Sequence, residues 1–140
     1  MEALGHARTL WNDNSSRFGR YVKLFLKDGE VQGSEMSIYL LEKSRVILQG
    51  FGERNFHIFY QVLAGVSEEQ RVKHKFRCRP SEYAMLRGGI TEVEGIDDGE
   101  EWLRSVVPAF EEVGVNEVGL SGLLDILSAT LLCAEVEWLG

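Results

Sequence analysis

A dense run of polar residues near the start of the chain could do chemistry on a phosphate. The run covers residues 12–19 and reads NDNSSRFG. Two adjacent hydroxyls can divide the work, because one can bind Mg²⁺ while the other positions a water or a phosphate oxygen. An asparagine amide is a neutral donor to phosphate, and an arginine supplies a fixed planar cation. These residue types together indicate a phosphate-sensing loop.

The same run has two simpler interpretations. Dense Asn, Asp and Ser residues just before a strand usually form a turn, because their side chains hydrogen-bond the nearby backbone. Residues 14–16 also satisfy the acceptor pattern for N-glycosylation. We set glycosylation aside, because nothing in the sequence directs the chain to the secretory path.

The elements that must position this run begin with a predicted β-hairpin. Strand structure is predicted between Arg20 and Ile47, where apolar and polar residues first alternate with the period of a strand that has two different faces. Asp28-Gly29 is a turn signal, because both residue types tolerate positive φ. A second alternating run, through Met36, Ile38 and Leu40, predicts the returning strand.

Helical spacing replaces strand spacing in the rest of the chain. The pattern predicts four helices, over Glu53–Leu63, from a capping box at Ser67, from Asp97 to Gly114, and over Glu117–Leu132. Pro108 should kink or shorten the third helix. Residues 76–98 are predicted to be a loop, and residues 136–138 could begin a strand. The last helix is apolar on more than one face, which predicts burial against other protein.

Composition and charge describe a small globular domain. The 140 residues carry 15 basic and 22 acidic side chains, a net charge of −7, which argues against a nucleic-acid partner. Cys78 and Cys133 make no disulfide framework and favour a reducing, cytoplasmic location. No apolar run approaches the roughly 20 residues of a membrane span, so no membrane insertion is expected. The acidic residues from Glu92 to Glu101 are interpreted as a solvated face at a helix start.

Three ordered motifs resemble the motor domain of myosins. The pattern Asn-x-x-Ser-Ser-Arg at residues 12–17 is similar to switch I of the cytoskeletal motor ATPases, and the Phe-Gly that follows matches the myosin form and not the kinesin form. Residues 39–46 and 52–61 resemble the segments that follow in myosins, in the same order and at the same spacing. Residues 2–9 are similar to the helix end before switch I, and residues 100–138 resemble later helices more weakly.

The resemblance implies a fold class and a division of the chain. The fold class is an α/β fragment, part of the myosin-type P-loop NTPase motor, made of a hairpin of the central sheet with flanking helices. Residues 1–65 would hold switch I, the hairpin and the following helix. Residues 66–140 would be a mainly helical segment of the upper motor.

The resemblance also implies a role for each residue of the switch. Asn12 would donate to the nucleotide phosphates, Ser15 would orient the attacking water, and Ser16 would ligate Mg²⁺ through its hydroxyl. Arg17 would pair with a carboxylate of the partner switch when the site closes. Ser15 and Arg17 are therefore the expected catalytic residues, and all four residues are expected to bind the nucleotide.

Parts of a complete motor are missing from these residues. The phosphate-gripping motif G-x-x-x-x-G-K-[ST] does not occur in the 140 residues, and the second switch should lie downstream of Gly140. His6 stands where myosins usually have Asn, and residues 132–135 depart from the usual His-Leu-Gly-Asn. The chain alone is therefore predicted to be inactive as an ATPase.

Two hypotheses of function follow. The first is a fragment of an actin-based myosin motor, cytoplasmic and associated with the cytoskeleton. Its cofactors would be ATP with Mg²⁺ in the complete motor, and its partners the actin filament and the remainder of the motor domain. The alternative is a small, non-catalytic α+β interaction module derived from a motor domain. The isolated chain is expected to be marginally stable or to depend on the remainder of a motor, because its strand edges lack cover. A cooperative unfolding transition of the isolated chain would favour the alternative.

Overall fold

The structure, a computed structural model, describes residues 2–136 as two antiparallel strand pairs with α-helices around them. The strands are β1 (His6–Ala7), β2 (Ser15–Ser16), β3 (Gly19–Lys27) and β4 (Glu30–Tyr39). The helices are α1 (Glu2–Gly5), α2 (His57–Gly65), α3 (Glu68–Lys73), α4 (Asp98–Glu101), α5 (Val107–Glu112) and α6 (Glu117–Cys133). Short 3₁₀ turns cover Lys43–Val46 and Pro80–Glu82, and a π-helical turn, Trp102–Val106, joins α4 to α5. The strand predicted from residue 136 runs into residues 137–140, which lie outside the described part.

The predicted hairpin is confirmed. β3 and β4 pair in antiparallel orientation along their whole length, with one bulge after Phe25. Asp28 and Gly29 have φ angles of 53° and 85°, as in the two-residue turn whose twist matches that of the flanking strands. The prediction of strand structure up to Ile47 is wrong beyond Tyr39, because a 3₁₀ turn replaces the ladder there.

Neither face of this hairpin is covered by other described residues. Its large apolar side chains are exposed on both faces, as at Tyr21 (61%), Leu24 (55%) and Phe25 (44%). The alternation along the strands is real, but it does not separate a buried face from a solvated one within this chain. A two-stranded ribbon with apolar residues on both sides is marginal in water and marks a contact surface for other protein.

The core is built around α2. Seven of its nine residues are buried, and the helix packs against α4 and the π-helical turn. The large buried side chains of the core include Ile58, Phe59, Tyr60, Leu63, Trp102, Leu124 and Leu131. Gly65 ends α2 where the indole of Trp102 occupies the space that a Cβ would need. The helix predicted over Glu53–Leu63 begins later, at His57, because Phe56 forms an isolated β-bridge with Ala7.

Local hydrogen bonds confirm two of the predicted helix starts. The Ser67 hydroxyl accepts from the Gln70 backbone N–H at 3.1 Å, and the Gln70 side chain accepts from the Ser67 N–H at 3.1 Å. Asp97 Oδ1 accepts from the Glu100 N–H at 2.9 Å. These bonds satisfy donors that the first turn of a helix leaves without partners.

The irregular segment 76–97 belongs to the core, which the sequence analysis did not predict. Tyr83, Met85, Leu86 and Val93 are all buried. The Tyr83 hydroxyl accepts a 2.7 Å hydrogen bond from the backbone N–H of Arg77. The segment is irregular in backbone but fixed by packing.

The helix from Asp97 is interrupted one turn before the proline that was expected to interrupt it. The N–H of Val107 bonds back to the carbonyl of Trp102, five residues earlier, so the π-helical turn inserts one extra residue. Pro108 lies in the first turn of α5, directly after the π-helical turn, and it removes one backbone donor from this continuous helical run. None of the helices described over residues 2–136 is both long and apolar enough to cross a membrane.

One residue of the acidic segment departs from the predicted solvated face, because Asp98 forms a buried ion pair, whereas the other acidic residues are exposed as predicted: Glu92, Glu94, Asp97, Glu100 and Glu101. Arg54 is fully buried, and its Nη2 lies 2.6 Å from Asp98 Oδ1 while its Nη1 lies 3.1 Å from Oδ2. The guanidinium also lies over the ring of Tyr60, 4.1 Å from its centroid. The pair ties the segment before α2 to the start of α4.

The burial of His57 predicts an acid-sensitive fold. Desolvation, with a smaller contribution from the charge of Arg54, lowers the pKa of His57 from 6.5 to about 4. The folded chain therefore keeps this ring neutral while the unfolded chain protonates it. The contribution of the neutral ring to the free energy of unfolding is fully present above about pH 6.5 and is lost as the pH falls toward 4. At about pH 4.5 the loss should reach about 2–3 kcal/mol.

Urea unfolding of the 140-residue chain at several pH values measures this effect. We expect the variant His57→Gln to lose less stability than the wild type between neutral and acidic pH, because Gln does not titrate. Parallel stability curves for the two chains would contradict the assignment.

Candidate functional site

The polar loop, residues 12–19, is held against the first helix by backbone hydrogen bonds. β1 pairs with β2, so that His6 lies opposite Ser16 and Ala7 opposite Ser15. The N–H of Arg17 donates to the carbonyl of Gly5 at 2.9 Å. These bonds fix the backbone of both serines.

The first half of the loop is a turn, as the simpler interpretation predicts. The N–H of Thr9 donates to the Asn12 carbonyl at 2.9 Å, and the N–H of Asn12 donates to the Thr9 hydroxyl at 3.2 Å. Asn12 Oδ1 accepts the N–H of Asn14 at 2.8 Å. The carbonyl side of the Asn12 amide is therefore engaged, and its Nδ2 side is the side that can donate to a ligand.

The two serines are adjacent but differ in their surroundings. Ser15 is half-buried and accepts from Arg17 Nη1 at 3.3 Å. Ser16 is exposed, and its hydroxyl donates to the carbonyl of Phe18 at 3.3 Å. Since that bond uses the Ser16 proton, the lone pairs of the oxygen are left without a partner within this bond, and an oxygen of this kind is a ligand type that hard cations accept. No cluster of three or more His, Cys, Asp and Glu side chains suited to a metal occurs among residues 2–136.

Arg17 already has a carboxylate partner within the chain. Its Nε lies 2.6 Å from Glu42 Oε2, and the Glu42 N–H donates to the Arg17 carbonyl at 3.0 Å. Arg45, only 3% exposed, holds the same Glu42 oxygen at 2.8 Å and Glu53 at 2.9 Å. It also donates to the carbonyl of Arg54 at 3.1 Å. An ion-pair network thus links the polar loop to the segment that precedes α2.

The electrostatics of Glu42 favour its charged form. Partial burial raises the pKa of the carboxyl, but the hydrogen bonds and charges of Arg17 and Arg45 outweigh burial and bring the pKa below its ordinary value. Glu42 lies in the segment 39–46 that resembles the family, yet no local signal pairs it with a residue 25 positions earlier. This partner was therefore not predictable from the sequence.

A second ion pair anchors the start of the polar loop. Arg8 Nε lies 2.8 Å from Asp13 Oδ1, and Arg8 Nη1 donates to the carbonyl of Gly52. The structure therefore brings together all four predicted site residues on one short loop that is anchored at both ends.

Comparison with known families shows to which family the chain belongs. The family described as myosin head (motor domain) matches residues 1–139. The chain belongs to the myosin motor-domain family. The structure agrees with the expected fold class, an α/β fragment of such a motor.

The curated relatives that match are much longer myosins. Myosin-2 of Lachancea kluyveri is 43% identical over 138 residues, which cover 98% of this chain and 9% of the relative. The myosin-J heavy chain of Dictyostelium discoideum is 41% identical over 140 residues (99% and 6%). Unconventional myosin-Ib of Rattus norvegicus is 42% identical over 139 residues (99% and 12%). The chain therefore spans only a small part of the length of these myosins.

Glu42 offers a test of how this myosin segment holds its polar loop. We expect Glu42→Gln to lower the free energy of unfolding of the chain by about 1 kcal/mol, because the pair is partly exposed and solvent screens it. Amide hydrogen exchange at residues 15–17 should become faster, since Arg17 loses its anchor. The exposed Glu111 near the end of α5 provides the control, and Glu111→Gln should leave exchange in the loop unchanged. Equal exchange in both variants would contradict an anchoring role.

Proposed function

We propose that this chain is the switch I segment of an actin-based myosin motor that hydrolyses ATP with Mg²⁺ and moves along actin filaments. The observation that carries the proposal is the family match over residues 1–139, which includes the polar loop with Asn12, Ser15, Ser16 and Arg17 in switch I order. The remainder of the motor domain and the actin filament are then its partners. Its location is the cytoskeleton of the cytoplasm.

Each side chain of the loop has a role that its surroundings permit. Bound ATP with Mg²⁺ supplies the γ-phosphate and a Lewis acid. Asn12 donates to phosphate oxygens through Nδ2, and the exposed Ser16 oxygen is a ligand for the metal. Ser15 is held by Arg17 Nη1, and in this position its hydroxyl orients the water that attacks the phosphorus in line.

Arg17 can accept a second carboxylate without leaving Glu42. Its Nε contacts Glu42 and its Nη1 contacts Ser15. The Nη2 side of the guanidinium is then the side that meets the carboxylate of the partner switch. We infer that Glu42 is a positioning residue, which orients the arginine before the site closes around the γ-phosphate.

A chimeric motor tests the proposal. Residues 1–139 replace the matching segment in the motor of Myosin-2 from Lachancea kluyveri, and phosphate release is measured with and without actin filaments. We expect Mg-dependent, actin-stimulated ATP hydrolysis by the chimera. The 140-residue chain alone should show no turnover, because it carries no phosphate-gripping loop.

Two outcomes would contradict the proposal. Turnover by the purified 140-residue chain would place a complete site within it. A folded chimera that binds ATP but does not hydrolyse it would favour the non-catalytic interaction module instead.

A further inference from the structure

The polar loop carries different side chains on its two faces. Successive side chains of a strand point to opposite faces, and the contacts around β2 follow this rule. Ser15 shares its face with Arg17, whose Nη1 lies 3.3 Å from the Ser15 hydroxyl. Ser16 lies on the other face, directly opposite His6 in the β1–β2 pair, and the Cβ atoms of such partners are about 5 Å apart. We call the face with Ser16 and His6 the metal face of the loop.

The His6 ring contacts the residues two positions before and two positions after Ser16. Its Nδ1 lies 3.0 Å from Asn14 Oδ1. Because an amide oxygen can only accept a hydrogen bond, His6 Nδ1 is the donor. The ring also meets the ring of Phe18 in a tilted arrangement, with 5.8 Å between the centroids, which is within the range of favourable aromatic pairs. One side chain thus holds the loop at two points that flank the serine.

Phe18 links His6 to the Ser16 hydroxyl. The Phe18 ring also lies against the backbone of Gly5, where it fills the space that a Cβ would need. The Phe18 carbonyl accepts the hydrogen bond of the Ser16 hydroxyl at 3.3 Å. The contacts that fix Phe18 therefore also fix the acceptor that directs this hydroxyl.

We propose that His6 is a positioning residue for the metal face, which holds Asn14 and Phe18 so that the Ser16 oxygen is placed for Mg²⁺ before the nucleotide binds. The inference rests on the proposed function, since it takes Ser16 as the metal ligand. Myosins usually have Asn at this position, and an Asn side chain offers a donor for Asn14 but no ring for Phe18. Removing a group that orients a metal ligand typically lowers metal affinity by about 10–100-fold.

The variant His6→Ala in the chimeric motor tests this role by a measurement that does not require turnover. The chimera is loaded with a fluorescent analogue of ADP, and release of the analogue is followed at increasing concentrations of free Mg²⁺. We expect the Mg²⁺ concentration that half-maximally slows release to rise about 10-fold. The rate of ATP hydrolysis at saturating Mg²⁺ should stay close to that of the unsubstituted chimera, because Ser15 and Arg17 lie on the opposite face.

Two further variants and a second measurement exclude a general loss of structure. His6→Asn keeps a donor for Asn14, so it should require less Mg²⁺ than His6→Ala. Lys73→Ala removes another exposed side-chain hydrogen bond, 3.1 Å to Ser121 on α6, and should leave the Mg²⁺ requirement unchanged. In the nucleotide-free chimera, amide hydrogen exchange at residues 16–18 should be about 5-fold faster with His6→Ala, as the loss of one hydrogen bond predicts.

Three outcomes would overturn the proposal. The first is an unchanged Mg²⁺ requirement in His6→Ala, and the second is a rise of equal size in Lys73→Ala. The third is slower hydrolysis at saturating Mg²⁺ with an unchanged Mg²⁺ requirement, because it would assign His6 to the face of Ser15 and Arg17. A chimera that gives the expected ADP and exchange results but does not hydrolyse ATP would support the role of His6 and contradict the proposed hydrolysis.

Discussion

In the chimeric motor, we expect the substitution Ser16→Ala to lower the rate of ATP hydrolysis by about 100-fold. The Ser16 hydroxyl is exposed and makes one long hydrogen bond, 3.3 Å to the carbonyl of Phe18. Loss of this hydroxyl should therefore leave the fold intact. The proposed role is that of an oxygen ligand to Mg²⁺, the ion that neutralises charge developing on the phosphates. Steady-state phosphate release measures the rate, and circular dichroism checks the fold.

A second serine provides the matched control for this experiment. Ser37 is exposed on β4 and distant in sequence from the polar loop, so Ser37→Ala should keep the full rate. Arg17→Ala should also lower hydrolysis strongly, because it removes the cation that holds Ser15 and would meet the partner switch. Normal hydrolysis in both the Ser16 and the Arg17 variant would reject the assignment of the loop as switch I.

Arg54→Met has the largest expected effect on stability. Removing the fully buried guanidinium leaves the Asp98 carboxylate, 14% exposed, without its ionic partner. Breaking a buried pair in this way costs about 3–5 kcal/mol, which is comparable to the whole stability of a small domain. The variant should therefore unfold at a much lower urea concentration than the wild type.

An exposed ion pair of the same type gives the control. Arg104 Nη2 lies 2.8 Å from Glu100 Oε1, but both side chains are exposed, so Arg104→Met should change the unfolding free energy by no more than about 0.5 kcal/mol. The double variant Arg54→Met/Asp98→Leu should recover part of the loss, because no charge remains buried alone. Equal effects at Arg54 and Arg104 would show that burial does not set the strength of the first pair.

Features that depend on neighbouring residues were predictable from the sequence. The hairpin turn follows from Asp28-Gly29, and the start of α3 follows from the spacing of Ser67 and Gln70. The ion pairs that organise the fold were not predictable, because Arg54 and Asp98 are separated by 44 residues. No local pattern records a contact that only the tertiary fold creates.

The candidate site also contains residues that the sequence predicts and a residue that only the fold reveals. Asn12, Ser15, Ser16 and Arg17 were selected by residue type and by likeness to a switch, and the structure places all four on one anchored loop. Their roles stay predictions. The partner Glu42 could be found only from the three-dimensional structure, because the hairpin of β3 and β4 separates it from Arg17 along the chain.

Among residues 2–136, the hairpin joins the rest of the structure at one end only, and the Arg17–Glu42 pair lies at that end. A strand of nine residues extends about 30 Å, so the ribbon formed by β3 and β4 is a long arm whose base is the polar loop. A sideways force at its tip acts on the base as a torque and would twist Arg17 against Glu42. A force applied at the outer end of this ribbon would therefore reach the polar loop from about 30 Å away.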